Sequence, residues 1–165
     1  MTVFAPGTSK RVAAGRFAGI FVHCSRKGVD VKVQGGCHCG LIRYEAQVDP
    51  ETVSICHCTD CQIMTGTAYR TTVQAGAASF KLISGEPKIY VKTAESPNRR
   101  AHAFCPECGT PVYSAAEHDP QTYGLRIGSI AQRDALPPKK QIWCDSALAW
   151  SGDITAVPRH ARQPV

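Results

Sequence analysis

Seven of the nine cysteines fall into three tight groups: Cys37-His38-Cys39, Cys56-His57-Cys58-Thr59-Asp60-Cys61 and Cys105-Pro106-Glu107-Cys108. Cysteines one or two residues apart rarely reach the geometry of a mutual disulfide, and an odd total argues against a fully paired disulfide framework. Thiolates at these spacings are metal ligands instead, and they belong in a reducing compartment, so a cytoplasmic protein is expected. A closed structural zinc site takes four ligands, whereas a catalytic one takes three from the protein and leaves a position for water or substrate. Seven thiolates divide most economically into four and three. The expected cofactor is therefore Zn2+, two per chain.

Cys105-Pro106-Glu107-Cys108-Gly109 has the pattern of a zinc knuckle. Two intervening residues let both sulfurs face one metal, and Gly109 supplies the positive φ of the tight turn. Gly36-Cys37-His38-Cys39-Gly40 is a CxC between glycines and cannot fill a tetrahedral site alone. Joined to Cys105 and Cys108 it closes a four-thiolate site, in which metal substitutes for core. Cys56, Cys58 and Cys61 lie where a strand is expected to run into a short helix. A helix start favours thiolates through its dipole and its free N–H groups. The fourth position of this second site is open to solvent, to a ligand or to another side chain. His38 and His57 compete for it, although in extended backbone they point away from the flanking cysteines. Cys144 is the other competitor, and as a fourth thiolate it would leave the site closed and inert.

The elements that must position these groups are mostly short strands. Gly (14) and Pro (11) are frequent in the 165 residues, which punctuate the chain with turns. Strands are expected at 41–47, 67–74, 79–84, 88–93, 99–104, 111–114 and 123–128, each with β-branched or aromatic residues near alternate positions. Gly85-Glu86-Pro87 suggests a hairpin between the third and fourth of these. The one helical turn expected is 59–65, stopped by Gly66 in a left-handed cap. Residues 34–160 read as one zinc-bearing domain.

Residues 1–33 differ in composition: six basic residues stand against Asp30 alone. Their apolar run at 17–22 is shorter than the core of a secretory signal, and no stretch is long enough to span a membrane. An organellar transit peptide fits the basic composition but not the scarcity of serine. The plain expectation is a disordered extension, and Cys24 within it has no fixed geometry. The remaining chain is nearly balanced in charge, and metal-bound thiolates make it slightly acidic. That weakens a nucleic-acid reading of the body, and no nucleic-acid partner is expected, since phosphate binding needs a concentrated basic face.

Three ordered motifs resemble the glutathione-dependent formaldehyde-activating family, whose domain also occurs in centromere protein V. They are Gly-Gly-Cys37-His-Cys39-Gly-x-x-Arg43-Tyr44, Cys56-His-Cys58-x-x-Cys61-x-x-x-x-Gly66 and Phe104-Cys105-Pro-x-Cys108-Gly109-Thr110-Pro111. The resemblance spans about 34–153. It implies a mainly β, zinc-bearing β-tent of several small antiparallel sheets, related to Rab exchange-factor-like proteins and methionine sulfoxide reductase B. It implies a structural zinc on Cys37, Cys39, Cys105 and Cys108, and a catalytic zinc on Cys56, Cys58 and Cys61. The ligands match the family, but two segments depart from it. Gly128-Ser129-Ile130-Ala131 stands where an Asp usually closes the run, and Gln141-Ile142-Trp143-Cys144 stands where a His-Ile-aromatic run is usual.

The activity implied is a carbon–sulfur lyase or synthase that makes or cleaves a thiol–aldehyde adduct such as S-hydroxymethylglutathione. The partners implied are a small thiol (glutathione or a similar one) and an aldehyde. Arg70, Arg99 and Arg100 are candidates for gripping the thiol's carboxylates, and His57 for a proton shuttle. The alternative is a non-catalytic zinc-binding interaction module with two closed sites. Methionine sulfoxide reduction would need a nucleophilic cysteine outside the metal sites. Only Cys24 and Cys144 remain, and neither stands in a setting that activates a thiol.

Overall fold

The computed structural model describes residues 30–93 and 98–163. The readings for residues 1–29, including Cys24, lie outside the described residues. Ten strands and one helix make up the domain: β1 (Val31–Gly36), β2 (Arg43–Val48), β3 (Ser54–Cys56), α1 (Thr59–Thr65), β4 (Arg70–Gly76), β5 (Lys81–Ser84), β6 (Lys88–Thr93), β7 (Arg99–Phe104), β8 (Pro111–Ala116), β9 (Thr122–Arg126) and β10 (Lys140–Ile142). The mainly antiparallel β architecture agrees with the sequence reading. The small sheets are joined through shared strands into one ten-stranded network, in the order β1-β2-β4-β9-β8-β7-β6. β5 adds to β2, and β3 lies between β4 and β10. β3 and β10 run parallel.

Alternation in these strands sends one set of side chains inward. Val33, Tyr44, Ala46, Val48, Val73, Val112 and Leu125 are buried in one cluster with Ile42, Ile130 and Leu136. Phe80 stacks on Tyr123 with centroids 4.6 Å apart and meets Tyr113 edge-on at 5.3 Å. Offset and edge-on aromatic contacts of this kind add about 0.5–1.5 kcal/mol each beyond the area they bury.

Two turns behave as their residues dictate. Gly66 caps α1 at φ 65°, with its N–H on the Gln62 carbonyl. Gly85 takes φ 76° but does not make the expected hairpin. β5 pairs with β2 and β6 pairs with β7, so the three-residue link carries the chain from one sheet edge to another. The Ser84 hydroxyl donates to the Leu41 carbonyl at 3.1 Å, and Lys81 lies opposite Glu45, which holds β5 on β2. β1 begins at Val31, ahead of the expected domain start, because Lys32 pairs outward with Glu45 at 3.1 Å while Val33 faces the core.

Gly35 in β1 admits no side chain. A Cβ there would collide with the Tyr44 ring and sit 2.7 Å from the Ser129 carbonyl. The ring cannot retreat freely, since its hydroxyl is 2.8 Å from Ser129 Oγ. Gly35→Ala is therefore expected to cost about 1–3 kcal/mol, read as a lower urea midpoint with an unchanged slope. An unchanged midpoint would show that this packing relaxes without cost.

Candidate metal centres

The first centre is built by two turns far apart in the chain, with Cys39 and Cys105 separated by 66 positions. After β1 the backbone folds back through Cys37–Gly40: Gly40 donates to the Cys37 carbonyl at 3.1 Å and holds φ 81°. The Ile42 N–H reaches Cys37 Sγ at 3.2 Å. Between β7 and β8 the knuckle closes through Gly109, at φ 71°, whose N–H donates to the Cys105 carbonyl at 3.0 Å. Thr110 joins the two turns. Its hydroxyl is 3.1 Å from Cys108 Sγ and accepts from the His38 N–H at 3.1 Å. The Thr110 hydroxyl, followed by the N–H groups of Thr110 and Cys39, holds the Cys108 thiol down to about 5. Thiolate is the form in which cysteine ligates.

The four sulfurs of Cys37, Cys39, Cys105 and Cys108 lie within 4.8 Å of one another. Sγ of Cys39 is 3.4 Å from that of Cys37 and 3.7 Å from that of Cys105. A tetrahedral zinc with bonds of about 2.3 Å separates its sulfurs by about 3.8 Å, so these residues fit such an ion. A cavity of about 700 Å³ lies beside this tetrad, lined by His38, Arg43 and Arg133 among others. Four sulfurs leave no open position toward it.

The second centre comes from one continuous segment. Cys56 ends β3, Cys58 is the N-cap of α1, and Cys61 lies in its first turn. All three are partly buried, and their sulfurs also lie within 4.8 Å of one another, with Cys56 and Cys58 Sγ 3.5 Å apart. The Cys56 thiol is held down to about 5, chiefly by a hydrogen bond from Cys61, with further help from the Cys58 N–H and the Arg70 charge. Cys61 is pushed up by its contact with Cys56 and by burial. Cys144 is exposed and takes no part in this cluster. Among the described residues, no fourth ligand joins the triplet.

His57 does not face the open side. It is only 3% exposed, its ring meets Tyr69 edge-on, and Nε2 lies 2.8 Å from Gln141 Oε1. Its backbone N–H donates to the Ile142 carbonyl at 3.1 Å. The Gln62 amide donates to the carbonyls of His57 (2.6 Å) and Ser146 (2.9 Å). The β10 segment is thus laced onto the cysteine loop, and Gln141 is one of its fastenings.

The candidate arginines fare differently. Arg70 lies opposite Cys56 across β3 and β4 and is buried. Arg100, half-buried on β7, shares a face with His102. Arg99 points the other way and is drawn off by Glu117, with Nε 2.8 Å from Oε2. Arg126 was not singled out from the sequence, yet it is buried beside this group and its pKa is pushed down to about 9, first by burial and then by Arg70. Its strand was legible, but its neighbours across the sheet were not. Lys92 of β6 is neutralised by Asp60, beside Cys61 in α1.

The three-cysteine and four-cysteine clusters sit on a mainly antiparallel β domain, and each is placed so that it could hold a metal ion. The chain belongs to the glutathione-dependent formaldehyde-activating enzyme family, whose model matches residues 32–146. Among solved structures, a Rhodobacter sphaeroides protein shares the fold with a TM-score of 0.52 at 19% identity. The match covers 66% of this chain and 98% of that one. No helix among the described residues is long and apolar enough to cross a membrane.

Proposed function

We propose that the protein is a zinc-dependent carbon–sulfur lyase or synthase, joining a thiol to an aldehyde or releasing it. Glutathione and formaldehyde are the partners that its family suggests, and the reducing cytoplasm is the compartment that suits its thiolates. The observation that carries this reading is the three-sulfur cluster of Cys56, Cys58 and Cys61, which Cys144 leaves incomplete. Cys56, Cys58 and Cys61 would hold a zinc there, and that ion would supply Lewis acidity that favours the thiolate form of an incoming thiol. The reaction is an addition: the sulfur–carbon bond forms, the carbonyl π bond opens, and the thiol proton ends on the carbonyl oxygen. No oxidant is consumed and no group leaves.

The protein's own residues divide the remaining work. Cys37, Cys39, Cys105 and Cys108 would hold a structural zinc. A hydrogen bond from Cys61, the backbone N–H of Cys58 and the Arg70 cation stabilise the Cys56 thiolate. Arg70, with Arg100 on the same side, offers cations to an anionic substrate, whereas Arg99 is occupied by Glu117. His57, held between Tyr69 and Gln141, is better suited to fixing the cysteine loop than to shuttling protons.

Cobalt in place of zinc tests the open site directly. The visible spectrum of the triplet ion is expected to change on adding glutathione, identically in the wild type and in Cys144→Ser. A spectrum indifferent to glutathione would instead indicate two closed sites and the interaction-module reading.

A further inference from the structure

The register of the central strands lines up a row of polar positions on the face away from the aromatic core. Cys56 is opposite Arg70 across β3 and β4, and Thr72 is opposite Arg126 across β4 and β9. The row continues through Gly124, Ser114 and His102. Directly opposed residues have Cβ atoms about 5 Å apart, and diagonal neighbours about 7–8 Å. Arg70 and Arg126 are diagonal neighbours of this kind, and long side chains span that distance easily.

Both arginines are more than nine-tenths buried, at 5% and 7% exposure, and the Nε of each is buried without a hydrogen-bond partner. Arg126 donates through Nη2 to His102 Nδ1 at 3.3 Å. Burial, followed by the Arg126 charge, pushes the His102 pKa down to about 4, so the ring accepts this bond while neutral and adds no charge. Among the described residues no carboxylate pairs with either arginine; Asp60 is taken by Lys92 and Glu117 by Arg99. A guanidinium desolvated without a partner is costly, and such groups persist where an anion completes them.

Counter-ions for the cysteine loop are the competing explanation. Before a thiol binds, a zinc on three thiolates would carry one negative charge against two positive charges on the guanidiniums, so the loop alone leaves one positive charge over. Each arginine also lines both of two cavities, of about 410 Å³ and 440 Å³. Tyr69 and Ser129 face the first; Met64 of α1, Ile89 and Phe104 face the second. A planar anion in either cavity lies beside both arginines, and a carboxylate is the group a guanidinium fork matches.

We propose that Arg70 and Arg126 form a receptor for one substrate carboxylate, so that at least one of the two adduct partners is an acid. The inference rests on the thiol–aldehyde reading given above. The carboxylate is supplied either by a glutathione-type thiol or by an oxo acid such as glyoxylate in place of formaldehyde. Adduct exchange measured by NMR separates these sources when glutathione or cysteamine is paired with formaldehyde or glyoxylate.

In Arg126→Met, the acceleration of at least one acid-containing pair is expected to fall at least tenfold more than that of the cysteamine–formaldehyde pair. Equal losses in all four pairs, or no loss in any, would overturn the proposal. A second arm needs no turnover. In the zinc-loaded wild type, the 15Nε–H signals of Arg70 and Arg126 are expected to shift saturably with oxamate and not with neutral oxamide. Silent signals overturn the receptor even if exchange is accelerated. Shifting signals with no acceleration of any pair uphold the receptor and sink the adduct chemistry instead.

Discussion

Replacing Cys105 with serine is expected to leave a chain with no cooperative unfolding transition at room temperature. Cys105 is fully buried and provides one of four converging sulfurs, and the turn that holds it is bonded to the turn of Cys37 through Thr110. Structural zinc in small domains contributes about 10–16 kcal/mol of apparent binding energy near neutral pH. A whole domain is stable by only about 5–15 kcal/mol. Serine does not ionise at neutral pH, so a large part of that binding energy disappears while a polar hydroxyl stays buried. Differential scanning calorimetry with elemental analysis checks this. A Tm within a few degrees of the wild type, at an unchanged metal content, would show that the tetrad is not a keystone. Strong chelators should reproduce the loss, and re-addition of zinc should reverse it.

Cys56→Ser is expected to behave in the opposite way, keeping the fold and losing the chemistry. Its sulfur is only partly buried, and the strand it ends is short. Metal content should fall from two ions per chain to one, and Tm should shift by only a few degrees. Acceleration of glutathione–formaldehyde exchange should fall by at least about 100-fold, equivalent to about 2.7 kcal/mol of lost transition-state stabilisation. Exchange, rather than product formation, is the right measurement, because thiols add to formaldehyde unaided. Equal exchange rates in variant and wild type would reject an enzymatic role for the triplet with these substrates. The two substitutions therefore separate scaffold from site, although both remove one thiol.

The metal clusters were legible because their chemistry is local. Spacings within Cys37–Cys39, Cys56–Cys61 and Cys105–Cys108 already bring sulfurs together, and Gly66 and Gly109 mark left-handed turns that few other residues tolerate. Pairing the CxC with the knuckle was also legible, since neither half completes a tetrahedron alone. What escaped was set by strand order. Gly85-Glu86-Pro87 shows where the chain bends but not which edge receives β5. Arg99 and Arg100 look equivalent as neighbours, yet alternation sends Arg99 to Glu117 and Arg100 toward His102. Arg126 gains its meaning only from the β4–β9 register, a relation between positions far apart in the chain. β3 and β10 have three residues each and pair in parallel, too short for any periodicity to show.

The two clusters also differ in when they can exist. The triplet lies on a single short run, whereas Cys39 and Cys105 are 66 positions apart. During synthesis the triplet leaves the ribosome complete before Cys105 has been added to the chain. A metal ion offered during synthesis would therefore meet the triplet first, and the tetrad only once β7 and β8 have brought the knuckle home.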